Sequence, residues 1–93
     1  NGDAIQGAAR AAEAKSAKVE FVTPKEGVQV WWDTLAVPAD APNKDGAHEF
    51  INFVLDPANM ANISNKVSYA NAVPGSLATV ADDIKSNPGI FLP

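Results

Sequence analysis

The chain has 93 residues, 46% of them hydrophobic, and a formal net charge of −4 with an isoelectric point near 4.6. This composition is typical of one small globular domain and excludes an intrinsically disordered chain, while the acidic balance argues against nucleic acid or an anionic membrane as a partner. Cysteine is absent, which excludes a disulfide framework, a thiol nucleophile and a cysteine-based metal site.

The first predicted element is a helix over about 4–14, in the stretch "DAIQGAARAAEAKS". Asp3 is predicted as its N-cap, and Gln6 stands three residues later, in the position of a capping box. Small apolar residues then recur at helical spacing, namely Ile5, Ala8, Ala9 and Ala12. The pattern therefore predicts a helix that begins directly after Asp3.

Two strands are predicted next, at 17–23 ("AKVEFVT") and 28–37 ("VQVWWDTLAV"). The turn between them contains Pro24, which presets φ, and Gly27, which tolerates a positive φ. Two strands make a poor sheet by themselves, so we expect them to join a larger sheet supplied by chain outside these residues. The lack of an initiator Met and of a signal peptide also suggests a piece of a longer protein.

Three further helices are predicted after a loop at 38–44 that is rich in Pro, Asp and Asn. The first spans 46–55, and the second spans 57–66 with Asp56 as N-cap and Pro57 at its first position. After an irregular connector at 68–75, "SLATVADDIK" predicts the last helix. The residues expected to face the core are Ala47, Phe50, Ile51, Val54 and Leu55, then Met60, Ile63 and Val67, then Leu77, Val80, Ala81 and Ile84.

The segment "VQVWWDTLAVP" places two tryptophans directly before an aspartate, with no basic residue nearby. In a strand, Trp31 and Asp33 share one face, roughly 7 Å apart, while Trp32 points to the opposite face and is expected in the core. An indole ring beside a carboxylate is a suitable receptor for an alkyl ammonium group, through charge-assisted hydrogen bonds and cation–π attraction. The alternative, which the pattern alone favours, is a rim tryptophan and a solvated aspartate at a sheet edge.

The other candidate residues are Asp3, which caps a helix but can also face a ligand at a cleft, and Tyr69. Tyr69 lies in the irregular connector, where a large aromatic either covers the core or contacts a ligand. His48 is the only histidine and is predicted on a solvated helix face, so no Ser–His–acid arrangement can be argued from it. No glycine-rich phosphate loop and no metal-ligand spacing occur, so neither an enzyme nor a cofactor is predicted.

The segments "NGDAIQ", "VTPKEGVQVWWDTLAVPADAPNKDGAHEFINFVLDPANMANIS", "VSYANAV" and "NPGIFLP" together resemble the C-terminal half of bacterial periplasmic polyamine-binding proteins. These are the putrescine- and spermidine-binding components of ABC transporters. The resemblance implies a C-terminal fragment of a two-lobed, type II-like α/β binding protein, with two strands and about four helices. Residues 1–27 would belong to the second lobe, and residues 28–93 would return to the first.

The resemblance also implies a function and a set of ligand residues. It implies a periplasmic protein, not an enzyme and without a cofactor, that binds a protonated polyamine between its lobes and delivers it to a membrane permease. Asp3, Trp31, Asp33 and Tyr69 match the family's ligand positions, and the ligand would supply the cation that Asp33 lacks. The remaining contacts would come from chain outside these residues. The rival interpretation is a small α/β structural or interaction domain whose Trp–Asp face contacts another protein.

Overall fold

The computed structural model describes residues 2–91, and the regular structure within that range is entirely helical. Helix α1 spans Gly2–Glu13, α2 spans Lys44–Leu55, α3 spans Pro57–Val67, a 3-10 helix spans Pro74–Ala78 and α4 spans Asp82–Lys85. Helix α3 packs against both α2 and the 3-10 helix. Among the described helices, none has the length and apolar character needed to cross a membrane.

The two predicted strands are not present within residues 2–91. The turn between them is confirmed, because the Gly27 N–H donates to the Pro24 carbonyl at 3.1 Å and Gly27 has a φ of 104°. A strand needs a neighbour that pairs its backbone groups, and segments 17–23 and 28–37 exchange no backbone hydrogen bonds with each other. The prediction of an α/β fold with two strands is therefore wrong. The described chain is helical, with a long irregular segment between α1 and α2.

Helix α1 confirms the first predicted helix but not its cap. The helix begins at Gly2, so Asp3 lies in its first turn and is not the N-cap. A carboxylate there is still favoured by the positive end of the helix dipole. Gln6 does not close a capping box. Its side-chain amide donates to the Val67 carbonyl at the end of α3, and this contact between residues 61 apart in sequence joins α1 to α3.

Helices α2 and α3 confirm the next two predicted helices, and the start signals predicted for α3, Asp56 and Pro57, are confirmed as well. The side chain of Asn43 caps α2. Asp56 caps α3, where Oδ1 accepts from Ala58 N at 3.0 Å and Asn59 N at 3.2 Å, and Pro57 occupies the first helical position. Each such cap contributes about 1 kcal/mol to stability. Asp56 is also the residue that follows the end of α2, so it alone defines the corner between α2 and α3.

The hydrophobic core lies between α3 and the residues that follow the 3-10 helix. Its members are Ala61, Val80 and Ile84, with Ile90 and Phe91 packed against them. The predicted inner stripe of α3 is rotated: Ala61 and Ser64 are buried, whereas Ile63 is exposed. Small side chains on the buried face allow the 3-10 helix to approach α3 closely, and a Cβ added to Gly75 would lie 3.4 Å from the Pro57 ring.

The last predicted helix is broken into two short ones. Val80 and Ile84 are buried as predicted, but Leu77 is exposed. The break has a specific cause, because the side chain of Asn65 on α3 takes part in the backbone hydrogen bonding at this point. Its Nδ2 donates to the Thr79 carbonyl at 3.2 Å, and its Oδ1 accepts from the Ala81 N–H at 2.8 Å. These bonds replace the ones that a continuous helix would make.

Several large apolar side chains remain exposed in the described chain. Phe50 and Phe53 on α2 are 59% and 64% exposed, whereas Ile51 and Val54 are half-buried. Phe50 therefore does not face the core of the described chain, and α2 has no fully buried residue, only a half-buried stripe.

Candidate functional site

The four predicted ligand residues lie on three separate segments. Asp3 is in the first turn of α1, Trp31 and Asp33 are on the irregular segment between α1 and α2, and Tyr69 is on the connector between α3 and the 3-10 helix. The connector leaves α3 at Ser68, which has a left-handed backbone (φ 56°, ψ 36°) and donates its N–H to the Ser64 carbonyl. The chain therefore reverses sharply just before Tyr69.

Asp3 and Tyr69, which are 66 residues apart in sequence, meet through a side-chain hydrogen bond. The Tyr69 hydroxyl donates to Asp3 Oδ1 at 2.9 Å. This bond, then partial burial, and then the negative charges of Asp3 and Asp33 raise the pKa of the Tyr69 hydroxyl above its ordinary value of 10.0. The phenol stays protonated at neutral pH, and its oxygen keeps lone pairs that can accept a hydrogen bond from another donor.

Asp33 belongs to the same electrostatic neighbourhood, because its charge is one of those that act on the Tyr69 hydroxyl. Within residues 2–91, Asp33 forms no hydrogen bond or ion pair of its own. The ion pairs of the described chain are elsewhere, between Lys18 and Glu20 and between Lys85 and Asp82. One carboxylate, Asp3, is thus hydrogen-bonded to the Tyr69 phenol, and a second, Asp33, acts on it through its charge and forms none of the ion pairs of the described chain. Their role as ligand residues stays a prediction.

The two tryptophans are both accessible, but to different extents. Trp31 is 52% exposed and Trp32 is 81% exposed. The prediction that Trp32 lies in the core is therefore wrong for the described chain, since no strand or helix covers it. Trp31 shares its short segment with Asp33, and its contact with a ligand stays a prediction.

A cavity of about 490 Å³ lies next to this group but is lined by other residues. Its walls come from α1, the irregular segment, the start of the connector, α4 and the residues after α4, and they consist of Ile5, Ala8, Ala9, Phe21, Thr23, Ser68, Asp83, Asn87, Pro88 and Gly89. The sequence did not predict this cavity, because its walls are far apart along the chain. In the described part of the chain, no three His, Asp or Glu side chains are placed to hold a metal ion.

Comparison with known proteins gives a consistent result. The family of bacterial extracellular solute-binding proteins matches residues 1–92. The chain is 45% identical over 93 residues to the putrescine-binding periplasmic protein PotF of Escherichia coli (strain K12), with 99% of the chain and 25% of the relative covered. It is 38% identical over 92 residues to the putrescine-binding periplasmic protein SpuD of Pseudomonas aeruginosa (strain UCBPP-PA14), with coverage of 98% and 25%.

A third relative extends the comparison to spermidine. The chain is 32% identical over 90 residues to spermidine/putrescine-binding periplasmic protein 1 of Haemophilus influenzae (strain ATCC 51907 / DSM 11121 / KW20 / Rd), with 97% of the chain and 25% of the relative covered. The chain therefore spans about a quarter of the length of these relatives. Their names describe periplasmic binding proteins and not enzymes, so the predicted family is confirmed.

Proposed function

The chain belongs to the bacterial extracellular solute-binding protein family, and we propose that it supplies one part of a periplasmic protein that captures a protonated polyamine such as putrescine or spermidine. The three relatives named above bear polyamine-binding names, which supports this ligand class. The chain covers about a quarter of those relatives, so the remaining ligand contacts would come from residues outside it. We also propose that 1–27 and 28–93 approach the ligand from different lobes and that a membrane permease receives the ligand.

The observation that carries the proposal is the hydrogen bond between Asp3 and the Tyr69 hydroxyl, on which the negative charge of Asp33 also acts. A protonated amine has three N–H donors and no acceptor. Carboxylates are strong, charge-assisted acceptors for such donors. The Tyr69 hydroxyl donates its hydrogen bond to Asp3, so the hydroxyl oxygen remains available as a third acceptor. One ammonium group therefore fits this neighbourhood, with Asp33 as the carboxylate that has no ion pair of its own within the described range.

Trp31 is proposed to cover the methylene groups next to that ammonium. The indole lies two residues from Asp33 and is half exposed, so a ligand can reach its face. An aromatic face stabilises a nearby cation and also shields apolar CH₂ groups from water. A carboxylate and an indole on one short segment thus suit the alternation of amine and methylene that defines a polyamine.

The test is isothermal titration calorimetry on the full-length protein with putrescine, and with 1,4-butanediol as the matched control. The diol has the same four-carbon chain but no charge. We expect saturable binding of putrescine, weakened by salt because it is electrostatic, and no heat from the diol. Equal binding of the two ligands, or no binding of putrescine, spermidine or any other linear amine, would contradict the proposal.

One observation favours a second candidate function. Trp32, Phe50 and Phe53 are all exposed in the described chain, and exposed aromatic side chains are enriched at protein contacts. A protein-interaction role without a small-molecule ligand would follow if polyamines left the melting temperature of the full-length protein unchanged, since a ligand that binds only the native state must raise it.

A further inference from the structure

The connector that carries Tyr69 has no regular secondary structure, yet it is anchored at both ends. On its N-terminal side, the Val67 carbonyl accepts from the Gln6 amide, and the Ser68 N–H donates to the Ser64 carbonyl at 2.8 Å. On its C-terminal side, the anchor is the side chain of Asn71. Tyr69 lies between these two points and within two residues of each.

Asn71 uses both ends of its side-chain amide. Its Nδ2 donates to Ser64 Oγ on α3 at 2.8 Å, and its Oδ1 accepts from the Val73 N–H at 2.8 Å. The Val73 N–H can only donate, so it identifies the amide end that faces it as the oxygen and sets the orientation of the group. Oδ1 also lies 3.0 Å from Ser76 Oγ.

The partners of Asn71 are buried and rigidly placed. Ser64 and Ser76 are 1% and 0% exposed, on α3 and on the 3-10 helix that packs against it. The single hydroxyl proton of Ser76 is shared between Asn71 Oδ1 at 3.0 Å and the Val73 carbonyl at 2.7 Å. Asn71 therefore ties the connector to the best-packed part of the described chain.

From this geometry we infer that Asn71 is a positioning residue for Tyr69. By fixing residue 71 to α3, it restricts the two residues before it, and the Tyr69 hydroxyl is held at the hydrogen-bonding distance from Asp3. Without that anchor, Tyr69 is tethered only through Ser68, and the hydroxyl leaves Asp3. The effect on ligand binding rests on the proposed function, whereas the effect on the position of Tyr69 does not.

The matched control is Asn65, another asparagine next to Ser64 on α3. Its side chain, like that of Asn71, uses both ends of the amide, but both of its partners are main-chain atoms: the Thr79 carbonyl at 3.2 Å and the Ala81 N–H at 2.8 Å. These bonds fix residues 79–81 and do not touch the connector. Asn65→Ala and Asn71→Ala should therefore lower the melting temperature to similar extents, but only Asn71→Ala should act on Tyr69.

The first measurement does not depend on any ligand. The phenolate absorbance of Tyr69 is titrated in the full-length protein, with the Tyr69→Phe variant as the blank. We expect Asn71→Ala to move the pKa of Tyr69 back toward 10.0, since the hydrogen bond to Asp3 is the largest cause of its elevation, and Asn65→Ala to leave it in place. An unchanged titration in Asn71→Ala would overturn the inference, whatever the protein binds.

The second measurement is a double-mutant cycle on putrescine affinity with Asn71→Ala, Tyr69→Phe and both together. Residues that act through each other give non-additive effects. We expect Asn71→Ala alone to weaken binding about tenfold, within the range of such couplings, and to have less than a twofold effect in the Tyr69→Phe background. Equal effects in both backgrounds would assign Asn71 to general stability and overturn the inference.

If Asn71→Ala does not fold, Ser64→Ala is the substitute, because it removes one of the hydrogen bonds of Asn71. It should move the Tyr69 titration in the same direction. No effect of Ser64→Ala on that titration would also overturn the inference.

Discussion

Replacing Trp31 with Ala should weaken polyamine binding about thirtyfold. A tryptophan has roughly 250 Å² of surface, and Trp31 is 52% exposed, so about 130 Å² of it is open to a ligand. A ligand that covers one face buries about half of that area, which is worth about 1.6 kcal/mol at ~25 cal/mol per Å². The cation–π attraction adds about 0.5 kcal/mol. The total of about 2 kcal/mol corresponds to about thirtyfold in Kd.

The assay for Trp31→Ala is calorimetric titration of the full-length protein with putrescine, and Trp32→Ala is the matched control. Trp32 is the neighbouring residue and is 81% exposed, and it is not among the predicted ligand residues. Trp32→Ala should therefore change Kd by less than twofold. A large loss in Trp32→Ala together with a normal Kd in Trp31→Ala would refute the assignment of Trp31 as the ligand residue of this segment.

Three further predictions concern stability and protonation. Asp56→Ala removes the cap that accepts from the first turn of α3 and should lower the free energy of unfolding by about 1 kcal/mol in denaturant melts, whereas Asp56→Asn, which keeps the acceptor, should cost much less. Gly27→Ala meets open space but requires a φ of 104°, so it should cost about 1–2 kcal/mol from backbone strain alone, and an unchanged midpoint would contradict this. Because the pKa of Tyr69 is raised, its hydrogen bond to Asp3 stabilises the fold below pH 10, and this stabilisation is lost as the pH rises through the raised pKa. Asp3→Asn should therefore return the phenolate titration of Tyr69 toward 10.0. A titration that stays in place would contradict the role of the hydrogen bond.

The parts of the fold that the sequence predicted correctly depend on contacts within a few residues. Asp56 and Pro57 begin α3 through neighbouring N–H groups, and Gly27 completes a turn of four residues. Signals of this kind act wherever the rest of the chain lies. They were therefore predicted correctly at these two places, although the capping box predicted for Asp3 and Gln6 did not form.

The secondary-structure predictions are wrong where the local structure depends on a residue that is distant in sequence. Segments 17–23 and 28–37 have the alternation of strands, but a strand also requires a paired neighbour, and neither provides one for the other. The last helix breaks because Asn65, at least 14 residues away, binds Thr79 and Ala81. No local sequence pattern around residues 76–85 predicts that contact.

In the candidate site too, features that depend on neighbouring residues were predicted, and contacts between distant residues were not. Trp31 and Asp33 were predicted from adjacent residues, Asp3 and Tyr69 were candidates from their places at a helix start and in a connector, and the family resemblance matched all four to ligand positions. The hydrogen bond that joins Asp3 to Tyr69 spans 66 residues, and only the three-dimensional structure reveals it. The role of Asn71 was missed for the same reason, since its partners Ser64 and Ser76 lie on two different helices.

The most direct test of the central claim is a paired measurement on Asp33→Asn in the full-length protein, with putrescine Kd and melting temperature determined on the same sample. Asn keeps the shape and removes the charge that is proposed to meet the ligand ammonium. Stranding a desolvated ammonium costs about 3 kcal/mol, so Kd should rise about a hundredfold. The melting temperature of the free protein should stay the same or increase, because Asp33 forms no hydrogen bond or ion pair within residues 2–91. An unchanged Kd with a lower melting temperature would contradict the claim and make Asp33 a structural residue.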